Sequence, residues 1–502
     1  MKAKEKAKKG RGKKKGDNGD DDDYENDDSE EDEYTALSQG ALVNRSRNAA
    51  SVAKPPIGSF ETCVECEGQF TVTRYTMAAS PGPGWLCHKC AKAMGADPFK
   101  KPVAPRKRAG PGDRRKVVSF EDREFTSLAS LCINIVSQHI EDVEALGDIG
   151  AVNRIEIGRV LAKNRRLTME NAPLLYDIKN TELAFYDATK LGPNAFSTLA
   201  SLNPSVESLR IDFCGRINDD ALKHWGEHLH SIKRLELLGP FLVRPEGWQA
   251  LFAGCSQLTN FLITQSPRFD IDCMSSLAQH CTKLTELRLC QIGKMNDYFL
   301  PYIESFKNLT SLNLSEPSKS LSTEAVVSLL NAVGSNLTHL NLSKNNLLTN
   351  EFLSAGLTPN VRVLTSIVLD EIPELTDAGM CAFFTNTANV PMHRISLRRN
   401  HALADEALIG LLKHSGATLV ELDINSWKSA SNDALLAIGE HAKVLRKLDL
   451  GFCRQADEFV IKAILDGSEE IKDISVFACN KLAERCPKKR GVSIRGIESY
   501  SV

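Results

Sequence analysis

The sequence predicts an α/β solenoid of leucine-rich repeats, and three observations carry that prediction. The first is a recurring frame: apolar, two others, apolar, one other, apolar. It runs from Val206/Leu209/Ile211 through Leu287/Leu289 and Leu340/Leu342 to Ile471/Ile474/Val476. A degenerate copy lies one period upstream at Leu183 and Phe185. The second is the constancy of the period, with Val206, Ile232, Leu258 and Leu284 evenly spaced and the later repeats close to that spacing. The third is the residue three places after the last strand leucine, which is Cys214, Asn345, Asn400, Cys453 or Cys479. Stacked repeats bury a one-dimensional core and leave a long curved face for partners.

Within each unit the Leu-x-Leu step has period two, so both leucines point inward and the residue between them outward. The Cys or Asn position suits a small polar side chain that satisfies backbone groups at the turn. A helix should follow, as at Asp219-Asp220-Ala221-Leu222 or Thr376-Asp377-Ala378-Gly379, with Asp or Thr as its cap. Cys255 and Cys281 should close helices just before the next strand.

The third, fifth, seventh and eighth places of the frame should form the concave face. Carboxylates slightly outnumber cations there. A groove that tracked a phosphate backbone should be clearly basic, so the face is read as a protein-binding surface. Arg398, Arg399, Trp427, Phe452 and Phe477 gather late in the array and are the expected partner-binding residues, because arginine and aromatic anchors dominate interface hot spots. The competing reading is a solvated face, or packing under residues 481–502.

The 502 residues suffice for several domains, and the net charge is only −2. No apolar run is long enough to span a bilayer, and the N-terminus shows lysines rather than a signal core. The 14 cysteines do not form a disulfide framework, which points to a reducing cytosolic or nuclear compartment.

Five domains are expected. Residues 1–58 are a basic then acidic tail with too little apolar content to fold. Its lysine-rich start reads as a nuclear localisation signal, a weak nucleic-acid patch or a solubilising tail, and the acidic block as a spacer, a dock for basic domains or, at Ser29, a kinase site. Residues 59–97 hold Cys63-x-x-Cys66 and Cys87-x-x-Cys90, the spacing of a structural zinc site. Four thiolates leave no open coordination position; His88 is an alternative ligand, but four cysteines are the simpler set. Phe70 and Trp85 should pack against the knuckles. Residues 98–119 are a basic linker that reads either as a phosphate-tracking segment or as a second nuclear signal. Residues 120–176 are helical, and residues 177–502 are the repeats.

In the helical segment, Leu128, Cys132 and Val136 recur at i, i+4, i+8. This resembles the elongin C-binding box of ubiquitin ligase receptors, whereas a plain reading makes the helix a buried solenoid cap. The repeats themselves resemble the cysteine-containing, ribonuclease-inhibitor-like class common in such receptors. Downstream come Asp142-Val143-Glu144-Ala145-Leu146-Gly147-Asp148-Ile149-Gly150 and Lys163-Asn164-Arg165-Arg166-Leu167. From about residue 59 onward, the order of these features is similar to the fungal Rad/Rhp-type leucine-rich-repeat subunit of global-genome nucleotide-excision repair.

The resemblance implies a treble-clef zinc site at Cys63, Cys66, Cys87 and Cys90, and adaptor contacts at Leu128, Cys132 and Val136. It implies a non-catalytic nuclear receptor working with elongin C, a cullin and a Swi/Snf-type ATPase, with DNA or chromatin reached through the zinc finger and linker. No membrane partner is expected. No Leu-Pro cullin-selecting signature follows the box; Ala172-Pro173-Leu174-Leu175 is a poor substitute. The alternatives are an F-box-like receptor of a Skp-type ligase and a direct damaged-DNA binder. No phosphate-binding glycine loop, helicase motif or His-Glu-x-x-His is present.

Overall fold

The structure, a computed structural model, describes residues 54–73, 75–79, 82–94, 126–483 and 485–497, and the backbone of 115–120 and 498–500. The tail as far as residue 53 and most of the basic linker lie outside the described residues. The chain divides into two compact units, residues 1–108 and 109–502.

In the first unit, β1 (Phe60–Thr62) and β2 (Gln69–Thr71) form one hairpin, and β3 (Met77–Ala78) and β4 (Trp85–Leu86) another. A short helix, His88–Ala93, follows. The unit's packed core is Cys63, Leu86 and Ala91, flanked by Phe70 and Met77, with Val72 also buried. So small a core does not hold a domain by itself.

The second unit is one sheet with an outer layer of helices. The strands from β6 (Glu182–Phe185) and β7 (Ser208–Ile211) to β17 (Asp473–Ser475) and β18 (Ser493–Tyr500) are parallel and follow chain order. The fourth place of the frame forms a single column across the sheet: Leu209 pairs Leu235, which pairs Phe261, then Leu287 and Leu312. The strand leucines are buried and belong to one cluster that runs from Ile133 to Ile497. Each contributes on the order of 1.5–3 kcal/mol by leaving water. Asn218, Asp270, Ser322, Thr376, Ser431 and Asp457 cap the helices with their side chains. The cap of the first of these is therefore Asn218 rather than Asp219, whose carboxylate instead accepts the Arg244 N–H at 2.7 Å.

Two hydrogen-bond ladders set the turns. The eighth place adopts a left-handed backbone in repeat after repeat, as at Phe213, Gly239, Gln265, Lys344, Arg399 and Phe452. Its N–H reaches the seventh-place carbonyl of the next repeat, as in Lys344 to Asp370 (2.9 Å) and Phe452 to Phe477 (2.8 Å). The ninth-place side chain reaches back to the sixth-place carbonyl of the preceding repeat. Asn345 does so to Leu314, Asn400 to Leu369, Cys453 to Ile424 and Cys479 to Leu450.

Trp427 occupies this ninth place. It is fully buried, and its indole Nε1–H donates to the Leu397 carbonyl at 2.9 Å. It replaces the usual Asn or Cys donor and does not face a partner, which corrects its expected role.

Two strands were not expected. β18 (Ser493–Tyr500) extends the array past its last Leu-x-Leu step, and β5 (Arg115–Phe120), at the end of the basic linker, pairs antiparallel with it. β5 covers an edge that would otherwise offer free backbone groups. Phe120 pairs with Ile494, and Ser127 caps the next helix seven residues on. The start of that helix therefore lies within about 25 Å of the C-terminal edge of the sheet.

Candidate functional site

The four thiols of the first unit come together. Their sulfurs all lie within 4.8 Å of one another, and Cys66 Sγ is 3.8 Å from Cys87 Sγ. A tetrahedral zinc with bonds of about 2.3 Å requires sulfur separations of about 3.8 Å. The backbone brings the two knuckles together: Val64 N–H bonds the Trp85 carbonyl at 3.1 Å, and Cys87 N–H bonds Cys63 Sγ at 3.2 Å. Burial alone would raise the Cys63 thiol, but backbone N–H groups of Cys87, Cys66 and Glu65 outweigh it and draw the pKa down to about 6. His88 is exposed and outside the cluster. The set fits one structural Zn2+ with no open position. Among the described residues the other His/Cys/Asp/Glu group of this kind is His224, Glu227 and His228, on the outside of a repeat helix.

The Leu128–Gln138 helix is capped by Ser127, whose Oγ accepts the Ser130 N–H at 3.1 Å. Ile133 and Ser137 face the solenoid core and are buried. Leu128 (76% exposed), Leu131, Cys132 and Ile135 (59% exposed) face solvent. Val136, expected on that face, is half-buried against the core. At about 100° per residue, eight steps drift about 80° from Leu128, while seven steps return within about 20°. Ile135, not Val136, therefore continues the solvent face. Sequence reasoning could have found it from the same helical arithmetic.

The concave face differs along its length. In the first repeats Glu236 is bracketed by Arg210, Arg234 and Arg288, and Arg234 also pairs Glu286. Burial opposes ionisation of Glu236, yet these guanidinium groups together hold its carboxyl below the usual range. In the late repeats Asp423 and Asp449 are register partners on adjacent strands. Burial, helped by Asp449 and Asp370, pushes Asp423 up to about 6. Phe452 and Phe477 are 46% and 43% exposed. Phe477 is in part covered, because it packs against Gly496 of β18. Arg398 and Arg399 are half-buried. The Arg398 backbone N–H donates to Asp370 at 3.0 Å, and the Arg399 guanidinium pairs Glu371 at 3.4 Å.

Together the sheet, the ladders and the four-thiol module define a leucine-rich-repeat protein with an N-terminal treble-clef zinc finger. A family model described as the treble clef domain of DNA repair protein rhp7 matches residues 57–96. The chain is 28% identical over 437 residues to DNA repair protein rhp7 of Schizosaccharomyces pombe, covering 86% of this chain and 76% of that protein. It is 28% identical over 417 residues to DNA repair protein RAD7 of Saccharomyces cerevisiae, covering 78% and 74%. Among solved structures it resembles that of the yeast Rad7 and Elc1 complex, with a TM-score of 0.63 and 26% identity, covering 74% of this chain and 98% of that one. The chain is homologous to the Rhp7 and Rad7 DNA repair proteins.

Proposed function

We propose that the protein is a nuclear DNA-repair scaffold and substrate receptor of a cullin-type ubiquitin ligase, and that it is not itself an enzyme. The observation that carries this reading is the solvent-facing stripe Leu128, Leu131, Cys132 and Ile135, on a helix whose other face is fixed to the solenoid. A stripe of this kind at i, i+3, i+4 and i+7 suits a helix-in-groove contact. Homology to the Rhp7 and Rad7 DNA repair proteins, and the structural likeness to Rad7 in its complex with Elc1, support elongin C as the occupant. Cys63, Cys66, Cys87 and Cys90 hold the structural zinc. The late concave face, with Phe452 and Phe477 and with Arg398 and Arg399 at its side, receives the protein partner.

A non-catalytic role is supported by the buried repeat cysteines. Burial pushes the thiols of Cys214, Cys255, Cys273 and Cys281 up to about 12, so they stay protonated and are poor nucleophiles. Among the described residues no helix is long and apolar enough to cross a membrane. Affinity purification of the full chain from its native cells tests the reading. Recovery of elongin C, a cullin and a Swi/Snf-type ATPase is expected; recovery of a Skp adaptor in place of elongin C would contradict it.

A further inference from the structure

At the first-strand end of the solenoid, a cleft of about 660 Å³ opens between the C-terminus of the Ala151–Lys163 helix and the turns after β6 and β7. Its lining includes Arg159, Lys163, Arg165, Tyr186, Asp187 and Phe213. Three cations thus face one carboxylate, and Asp187 is already engaged by the N–H and hydroxyl of Thr189 at 3.0 and 2.6 Å. Arg159 pairs Glu156 and lies over the Tyr186 ring at 4.9 Å. Lys163 and Arg165 are exposed. The Lys190 ammonium adds a further positive charge, bound to the Arg165 carbonyl at 2.8 Å. Phe213 stands 53% exposed at the mouth.

The backbone sets the position of Arg165 at the cleft. The helix ends in a Schellman turn: Arg166 N–H bonds the Leu161 carbonyl and Arg165 N–H the Ala162 carbonyl, both at 2.8 Å. Arg165 sits in the left-handed position of that turn, with φ of 52°. Glycine is the favoured residue there, and an arginine is strained. Left-handed residues recur at the repeat turns, Phe213 of the same cleft among them, and here the turn fixes Arg165 at the cleft edge.

We propose that this cleft binds single-stranded nucleic acid, with Lys163 and Arg165 on the phosphates and a base stacked on Phe213. The excess of cations selects an anion, and the exposed ring selects one with a flat apolar face; a nucleotide strand has both. The site is separate from the apolar face of the Leu128–Gln138 helix, so it stands or falls independently of the adaptor reading.

The test is fluorescence anisotropy of a labelled oligo(dT) strand with the full chain over a salt series. Lys163→Glu with Arg165→Glu should weaken binding at least tenfold. Phe213→Ala should weaken it at least fivefold at unchanged salt dependence. Arg165→Gly should lower affinity and reduce the salt slope by about 0.7, yet leave Tm equal or higher, because glycine relieves the turn. A control, Arg106→Glu with Lys107→Glu and Arg108→Glu, measures binding by the basic linker. If the cleft variants bind as the parent does and only the linker variant loses affinity, the proposal is wrong. It is equally wrong if a peptide of residues 17–34 binds through Lys163 and Arg165, displaces the strand and is indifferent to Phe213→Ala, for the cleft would then be an acidic-peptide site.

Discussion

The zinc module and the solenoid stand at opposite ends of the ways a chain can hold itself together. The module's packed core is Cys63, Leu86 and Ala91 with a few partly buried neighbours. The solenoid shares one continuous core from Ile133 to Ile497, bound by two hydrogen-bond ladders that repeat with the sequence period. In the first, a single metal ion replaces a core. In the second, no single contact is decisive, because each repeat leans on its neighbours. The difference teaches where to look for function. A module held by its metal is fixed in shape but small, whereas a solenoid can display different chemistry at each point along one face.

The sharpest way to break this comparison is to remove the metal. Cys63→Ser, or chelation, should unfold residues 59–97 and leave the solenoid's cooperative melt in place, because metal binding and folding are coupled in small modules. Loss of near-ultraviolet signal from Trp85 without loss of the main transition is the expected readout. Metal analysis should give one zinc per chain.

Next in size is the ninth-place ladder. Trp427→Ala removes a fully buried side chain and its bond to Leu397, and should cost about 3–5 kcal/mol in denaturant unfolding. Asp423→Asn should act the other way. Burial raises the folded carboxyl from the ordinary carboxylate range to about 6, so the fold binds that proton more tightly than the unfolded chain. The contribution of Asp423 therefore falls as pH rises from about 4 to about 6 and stays unfavourable above that. Asn should stabilise the protein on the order of 2 kcal/mol at pH 7.5 and by much less at pH 4, as read from paired melts. Phe452→Ala, at a half-exposed eighth place, should change stability by less than about 1 kcal/mol while weakening capture of the concave-face partner.

The repeat frame and the two cysteine pairs were legible because both depend on strict spacing. The strand leucines fell where the frame puts them, from Leu209 to Ile474. What stayed hidden did not repeat. Trp427 broke the Asn/Cys alternation because an indole N–H can make the same bond, and its size suggested a surface anchor. β18 has Ile494-Arg495-Gly496-Ile497 in place of Leu-x-Leu, with a register shift across Gly496. β5 carries Val117, Val118 and Phe120, a strand-forming set masked by the neighbouring Arg and Lys. The cleft at Arg165 left no sequence signal, since a left-handed arginine in a helix-ending turn is visible only in the backbone.

The central claim is that the Leu128–Gln138 helix is anchored on one face and offers the other to an adaptor. Calorimetric titration of the full chain with purified elongin C tests it most directly, using Leu128→Asp with Ile135→Asp and, separately, Val136→Ala. The account predicts that the double aspartate variant loses elongin C binding altogether with an unchanged main melting transition, and that Val136→Ala lowers Tm slightly but still binds. Elongin C bound at parental affinity by the double variant, or a solenoid that unfolds with it, would contradict the account.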